Sequence, residues 1–153
     1  MEKTNVMRLL DIAKISYTPM LYSADIDKGE EVAEAVGKSA DEVFKTLVTV
    51  SDGGHFVFVV PVNCTLNLKK AARAAGVKSV EMLKQRDLLP LTGYVHGGCS
   101  PIGMKKPFPT FINDTAELFE TICVSAGRRG FQVELSPVSL ASFVGAAFVD
   151  LCD

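Results

Sequence analysis

The sequence predicts a mixed α/β fold: a curved, mixed, largely antiparallel sheet surrounded by helices. Three observations carry this. "VFKTLVTV" and "HFVFVVPV" are two apolar, β-branched runs separated by "SDGG", which reads as a hairpin. "LKKAARAAG" follows Asn67 and stops at Gly76, the pattern of a helix with a side-chain N-cap and a glycine terminator. Hairpins and helices are interspersed without the strict alternation that a doubly wound parallel sheet requires. The 153 residues suit one domain, 1–153, long enough to bury a core without covalent staples.

The remaining elements follow in order. Val6, Leu9, Leu10 and Ala13 recur at helical spacing and predict a first helix over residues 4–14. "ISYTPMLY" reads as extended, because Pro19 biases its predecessor away from helix. "GEEVAEAVG" is a short helix closed by Gly37, and Ser39 with Glu42 forms a capping box for another. The apolar strand "HFVFVVPV" is expected to be covered on both faces. Ser79 is placed to cap a helix over "VEMLKQRDLL". "TFIND" reads as a strand, Asp114 or Thr115 as a cap, "LFETICVSA" as mostly strand, "GRRG" as a turn and "FQVEL" as a strand. Ser136-Pro137 opens the helix "VSLASFV", and an extended "AAFVDL" follows.

Composition excludes several functions. The net charge of −2 is wrong for a generally basic, sequence-blind nucleic-acid binder, although Lys69, Lys70 and Arg73, Lys105 and Lys106, and Arg128 and Arg129 leave room for local basic faces. Cys64, Cys99, Cys123 and Cys152 are dispersed, which argues against a disulfide framework and a zinc site. We expect no metal and no cofactor. No apolar run reaches the ~20 residues of a membrane helix, and the charged N-terminal stretch lacks the core of a secretion signal, so the chain reads as cytoplasmic.

Catalytic signatures are sparse. There is no G-x-S-x-G elbow, phosphate-binding loop, H-E-x-x-H or G-x-G-x-x-G. A thiol–imidazole pair could arise only across space, from Cys99 with His55 or His96. Lys45 lies among apolar neighbours, either at the solvent edge of its strand or held in a pocket against a partner such as a ligand oxygen. "GYVHGGCSPIGMKKPFPTFI", from Gly93 to Ile112, is too rich in glycine and proline for regular structure. Either it lets backbone approach a ligand closely, or it makes a tight crossover between packed elements.

"VFKTLV", "LNLKKAARAAGVKSVEM", "TGYVHGGCSPIGMKK" and "VSAGRRG" with "VELSP" occur in this order. Together they resemble the YbaK/EbsC-type aminoacyl-tRNA deacylases, relatives of the editing domain inserted in bacterial prolyl-tRNA synthetases. The branch most similar hydrolyses Cys-tRNA(Pro). The resemblance runs from about Leu10 to Asp150 and implies a fold of that type. It also implies roles: Lys45 as the lysine needed for activity, Thr46 with it, and Tyr22 lining the aminoacyl pocket. Gly97, Gly98, Ser100 and Gly103 fall in the GG-x-S-P-x-G loop, and Ser125 in the S-x-G-[KR]-R-G loop. Cys99 receives no role. Family members often carry a bulky apolar residue where this chain has "DKGEE", so one pocket wall differs.

The implied chemistry is trans-editing, in which the thiol of a misattached cysteine attacks its own ester carbonyl and backbone amides stabilise the oxyanion. That chemistry needs no protein triad. Lys105, Lys106, Arg128 and Arg129 are the candidates for contact with the acceptor end of tRNA(Pro), and prolyl-tRNA synthetase is the implied partner. Two alternatives are a non-catalytic module that binds aminoacyl-nucleotides or a synthetase, and a deacylase for Ala or Ser.

Overall fold

A computed structural model describes residues 2–153. Its elements are α1 (Asn5–Ile12), β1 (Tyr17–Leu21), α2 (Gly29–Ala35), β2 (Phe44–Ser51), β3 (Gly54–Pro61), α3 (Leu68–Ala75), β4 (Glu81–Met82), α4 (Gln85–Thr92), β5 (Thr110–Asn113), a 3₁₀ helix (Asp114–Leu118), β6 (Ile122–Ser125), β7 (Phe131–Leu135), α5 (Pro137–Val144) and β8 (Ala147–Val149).

The mixed α/β class is as the sequence predicts, with the curved sheet divided in two. One sheet has the order β1-β7-β6 and is antiparallel throughout. The other has the order β4-β2-β3-β5-β8, antiparallel where β2 pairs β3 and β4, parallel where β5 pairs β3 and β8. A parallel bridge, Val43 to Cys123, joins them. One core fills the space between α1, β2, β3, β6, β7 and α5, around Met7, Leu10, Phe44, Ile102, Ile112, Ile122 and Leu140. A second lies under α3, with Phe58, Val60, Ala71 and Leu151. β3 is buried from Phe56 to Pro61, as a strand covered on both faces must be.

Local signals placed several boundaries well. Asn67 accepts from the Lys69 and Lys70 N–H groups at 3.0 Å, and Gly76 ends α3 with φ +71°. Ser136 accepts from Ser139 N–H at the start of α5, with Pro137 in the first turn.

Four expectations need correction. Only half of the Ser39–Glu42 capping box forms: Ser39 N–H donates to the Glu42 carboxylate, but the Ser39 hydroxyl accepts from Asp41 N–H, and only a turn follows because Val43 is already engaged with Cys123 and the strand begins. Ser79 caps no helix: Glu81 and Met82 pair with Val50 and Thr49, so α4 starts only after the extended Lys84. The segment after β5 is helical to Leu118, and the strand proper begins at Ile122. Cys64 and Cys152, 88 positions apart, form a disulfide, because the antiparallel bridge between Leu66 and Cys152 lays the C-terminal segment beside Cys64. The Lys70 ammonium binds the Asp150 carboxylate at 2.8 Å and the Cys152 carbonyl at 2.7 Å, so this basic group anchors the same segment.

Candidate active site

The two sheets fork at Val43–Cys123, and the fork makes the site. β2 is paired by β3 along its length, but β4 covers its other edge only at Thr49 and Val50. From Lys45 to Leu47 that edge has no strand partner and faces the Ser125–Gln132 pair of β6 and β7. Between them lies a cleft of about 230 Å³. Its apolar wall is Val32, Val43, Phe44, Leu47, Val62 and Leu88. Its polar groups are Tyr22, Asp27, Lys45, Thr46, His96, Ser125 and Gln132.

Lys45 is half-buried in this wall and makes no ion pair among the described residues. Burial pushes its ammonium below the ordinary lysine value, opposed by the field of Glu30. An ammonium kept without a carboxylate partner is available to ligand oxygens. Thr46 Oγ1 and Gln132 Oε1 are both buried without a hydrogen-bond partner among the described residues, and both residues line the cleft.

The loop after β6 positions the rest. Tyr22 N–H donates to the Gly130 carbonyl at 3.0 Å, fixing the end of β1 at the mouth. Gly130 has φ +92°, and a Cβ there would stand 3.1 Å from the Tyr22 carbonyl oxygen, so a glycine is required. Ser125 Oγ accepts from Gly127 N–H at 3.1 Å. Gly29 leaves space that Val62 fills, since an added Cβ would lie 2.7 Å from two Val62 carbons. The wall beside "DKGEE" is therefore built by Val62 from across the cleft.

The glycine- and proline-rich loop makes a tight crossover and also lines the cleft. His96, Gly97 and Cys99 line the cleft. Gly97 has φ +86° and lies under the Arg129 side chain, within 3.2 Å of where a Cβ would sit. Gly98, Ser100 and Gly103 are outside the cleft lining. Gly98 packs against the Arg128–Arg129 backbone and gives its N–H to the Val95 carbonyl. Ser100 is fully buried and accepts from Ile102 N–H at 3.2 Å. Gly103 sits against Leu9 and Tyr94, and the Tyr94 hydroxyl donates to the Ile102 carbonyl, pinning the crossover. These three hold the loop's shape, while the Gly97 amide has no internal acceptor among the described residues.

Arg129 is exposed, and its side chain packs over Gly97, which lines the cleft. Arg128 is paired with Glu2 and lies over the Phe131 ring, 5.0 Å from its centroid. Lys105 packs its stem on Gly93 and reaches the Pro90 carbonyl at 3.4 Å, and Lys106 lines a separate cavity with Phe143 and Val144. Cys99 is mostly buried, and burial pushes its thiol up to about 12, which disfavours the thiolate a nucleophile needs. No group of three or more His, Cys, Asp and Glu among the described residues is arranged to hold a metal.

Gln132 escaped sequence reasoning. In "FQVEL" it alternates with apolar residues and so reads as the solvent side of a strand. The structure covers that side. Leu88 and Val62 were equally silent, since each enters the cleft from a separate element.

The profile of the aminoacyl-tRNA editing domain family matches residues 23–143. An Enterococcus faecalis protein, provisionally named Cys-tRNA(Pro)/Cys-tRNA(Cys) deacylase EbsC, is 46% identical over 98% of this chain and 93% of its own length. The proline–tRNA ligase of Shouchella clausii is 31% identical over 67% of this chain, which spans 18% of that enzyme. A crystal structure described as a provisional trans-editing enzyme for prolyl-tRNA synthetase superposes with a TM-score of 0.86, covering 100% of this chain and 99% of that one at 23% identity.

Proposed function

This chain belongs to the aminoacyl-tRNA editing domain family, and from that premise we propose that it is a trans-editing deacylase of mischarged tRNA, with Cys-tRNA(Pro) its substrate. The observation that carries the reading is the composition of the cleft. Among the described residues it holds one ammonium without an ion-pair partner, a backbone amide without an acceptor and an apolar wall, while its Ser125 hydroxyl is engaged by the Gly127 amide and its Thr46 hydroxyl has no base bonded to it. Such a site fits a substrate that brings its own nucleophile.

In this mechanism Lys45 binds oxygens of the terminal nucleotide and holds the ester at the mouth. The apolar wall folds the cysteinyl side chain back on its carbonyl. A thiol with an ordinary pKa near ~8.5 supplies a useful thiolate fraction at neutral pH. Its sulfur attacks the carbonyl carbon, and the oxyanion forms against the Gly97 amide. The carbon–oxygen ester bond then breaks, the ribose oxygen takes the proton the thiol has lost, and cysteine leaves as its thiolactone. Water opens that ring to free cysteine in solution. Tyr22, Thr46 and Ser125 line the substrate's path.

Arg129, whose side chain packs over Gly97, and Arg128, Lys105 and Lys106 on the two loops are the groups that meet the acceptor end of tRNA(Pro) in this reading. Gly98, Ser100 and Gly103 serve the site by fixing the loop that presents Gly97. Prolyl-tRNA synthetase, which produces the mischarged substrate, is the functional partner, and the cytoplasm is where the two meet.

The test is a deacylation panel of Cys-, Ala-, Ser- and Pro-tRNA(Pro). Release of cysteine with sparing of Pro-tRNA(Pro) is expected. No release from any mischarged species would instead favour a binding module. S-methylation of the cysteinyl group should abolish turnover, and equal rates for both forms would exclude attack by the substrate thiol.

A further inference from the structure

Buried oxygens without partners are uncommon, because each forfeits a hydrogen bond it had in water. Among the described residues there are two on side chains, Thr46 Oγ1 and Gln132 Oε1. Both residues line the same cleft, although they come from different sheets. Gln132 is only 6% exposed, so its side chain is held in the wall rather than out in bulk solvent.

The other polar groups of the cleft have a partner, reach solvent or cannot accept: Tyr22 is half-buried and His96 is exposed. Ser125 Oγ already accepts from Gly127 N–H. Lys45 has only protons to give. Asp27 is exposed at the rim. The remaining interior is apolar, formed by Val32, Val43, Phe44, Leu47 and Val62. A ligand that completes this site brings N–H donors to these two oxygens and a small apolar group to the wall.

We infer that Gln132 and Thr46 form the receptor for the α-amino group of the aminoacyl moiety, making the site selective for an unblocked amino acid. The inference rests on the editing function proposed above and assigns a further part of that same cleft. An α-amino group, charged or neutral, presents at least two N–H donors, matching two acceptors. The side chain then lies on the apolar wall and the ester points towards Lys45. An acylated amine, as in peptidyl-tRNA, loses a donor and adds bulk at the receptor.

The test uses the full chain and two stable nucleosides: 3′-deoxy-3′-(cysteinylamino)adenosine and its counterpart lacking the α-amino group, the 3-mercaptopropionyl amide. Wild type is expected to bind the amino compound about tenfold or more tightly, the discrimination that pairing otherwise unmet acceptors provides. Gln132→Met should erase that preference, with the loss falling on the amino compound alone, and Thr46→Val should reduce it. The melting temperature of Gln132→Met should match or exceed wild type, since an unpaired acceptor is removed, which separates a binding defect from an unfolded variant.

A preference that survives in both variants, an equal loss for both compounds, or no preference in wild type would overturn the inference. The deacylation panel separates its failure from that of the proposed function. Wild type that hydrolyses Cys-tRNA(Pro) and its mercaptopropionyl analogue equally well is an editing enzyme without this receptor. Wild type that binds the amino nucleoside selectively but releases no cysteine retains the receptor without the catalysis.

Discussion

Gln132 and Glu134 stand two residues apart on β7, on the same face of the sheet. Glu134 is closed into a network, accepting from the Lys38 ammonium at 2.6 Å and the Thr121 hydroxyl at 2.7 Å. Gln132 Oε1 accepts from nothing among the described residues. The difference is not one of exposure, for the Glu134 side chain is 16% exposed and Gln132 is 6% exposed. Where a polar group serves the fold, the segments just after α2 and just before β6 deliver partners to it. Where it borders the cleft, partners are withheld, at a cost of about 1–3 kcal/mol per unmet group. A bound ligand recovers that cost, which is why such groups accumulate at sites rather than at random.

The two lysines repeat the contrast, and exchanging their fates would break it. Lys38 is paired and Lys45 is not. Lys45→Ala should lower kcat/KM for Cys-tRNA(Pro) by about 100-fold, the loss of a charge-assisted contact of about 3 kcal/mol. Its fold should survive. Burial holds the Lys45 pKa below the ordinary value, so the folded state carries an electrostatic penalty wherever the ammonium is protonated. That penalty is complete below the folded pKa and fades as pH rises through it. A melting curve at neutral pH should therefore show Lys45→Met no less stable than wild type. A strongly destabilised variant would mean Lys45 belongs with Lys38 as a structural residue.

Glu134→Gln should do the opposite, sparing the cleft and costing about 1–3 kcal/mol of stability. The Lys38 ammonium, then the Thr121 hydroxyl, hold the Glu134 carboxyl below its ordinary 4.5. A lowered carboxyl pKa stabilises the fold fully above the unfolded value and progressively less as pH falls through the folded one. The gap in melting temperature between wild type and Glu134→Gln should accordingly be full at neutral pH and close below pH 4.5. A gap that widened on acidification would show that this network does not hold the strand.

The legible parts of the molecule are those written locally. Asn67 and Gly76 mark α3, Ser136-Pro137 marks α5, and "SDGG" marks the β2–β3 hairpin, because each signal acts within a few residues. Tyr22 at the cleft comes from the family resemblance, whereas Lys45 stands out by its apolar neighbours and the resemblance chooses the pocket over the strand edge. What stayed hidden depends on distant pairing. The fork is made by Val43 meeting Cys123, and the disulfide by Cys152 returning beside Leu66. Ser79 is a sound cap residue overruled by the pairing of β4 with β2. Gln132 looked like surface because strand alternation names a face, not what covers it.

Cys99 sharpens the comparison from the side of no effect. It lines the cleft as Gln132 does, yet it is a thiol held near the core among Val6, Ile102 and Val124. Burial raises its pKa to about 12, so at neutral pH it is a small apolar group. Cys99→Ala should keep kcat/KM for Cys-tRNA(Pro) within about threefold of wild type, because only a little packing is lost. The pH–rate profile should keep its shape, since the thiol that titrates near neutrality belongs to the substrate. A flattened profile or a dead Cys99→Ala enzyme would transfer the nucleophile to the protein and leave Gln132 and Lys45 as bystanders to a different chemistry.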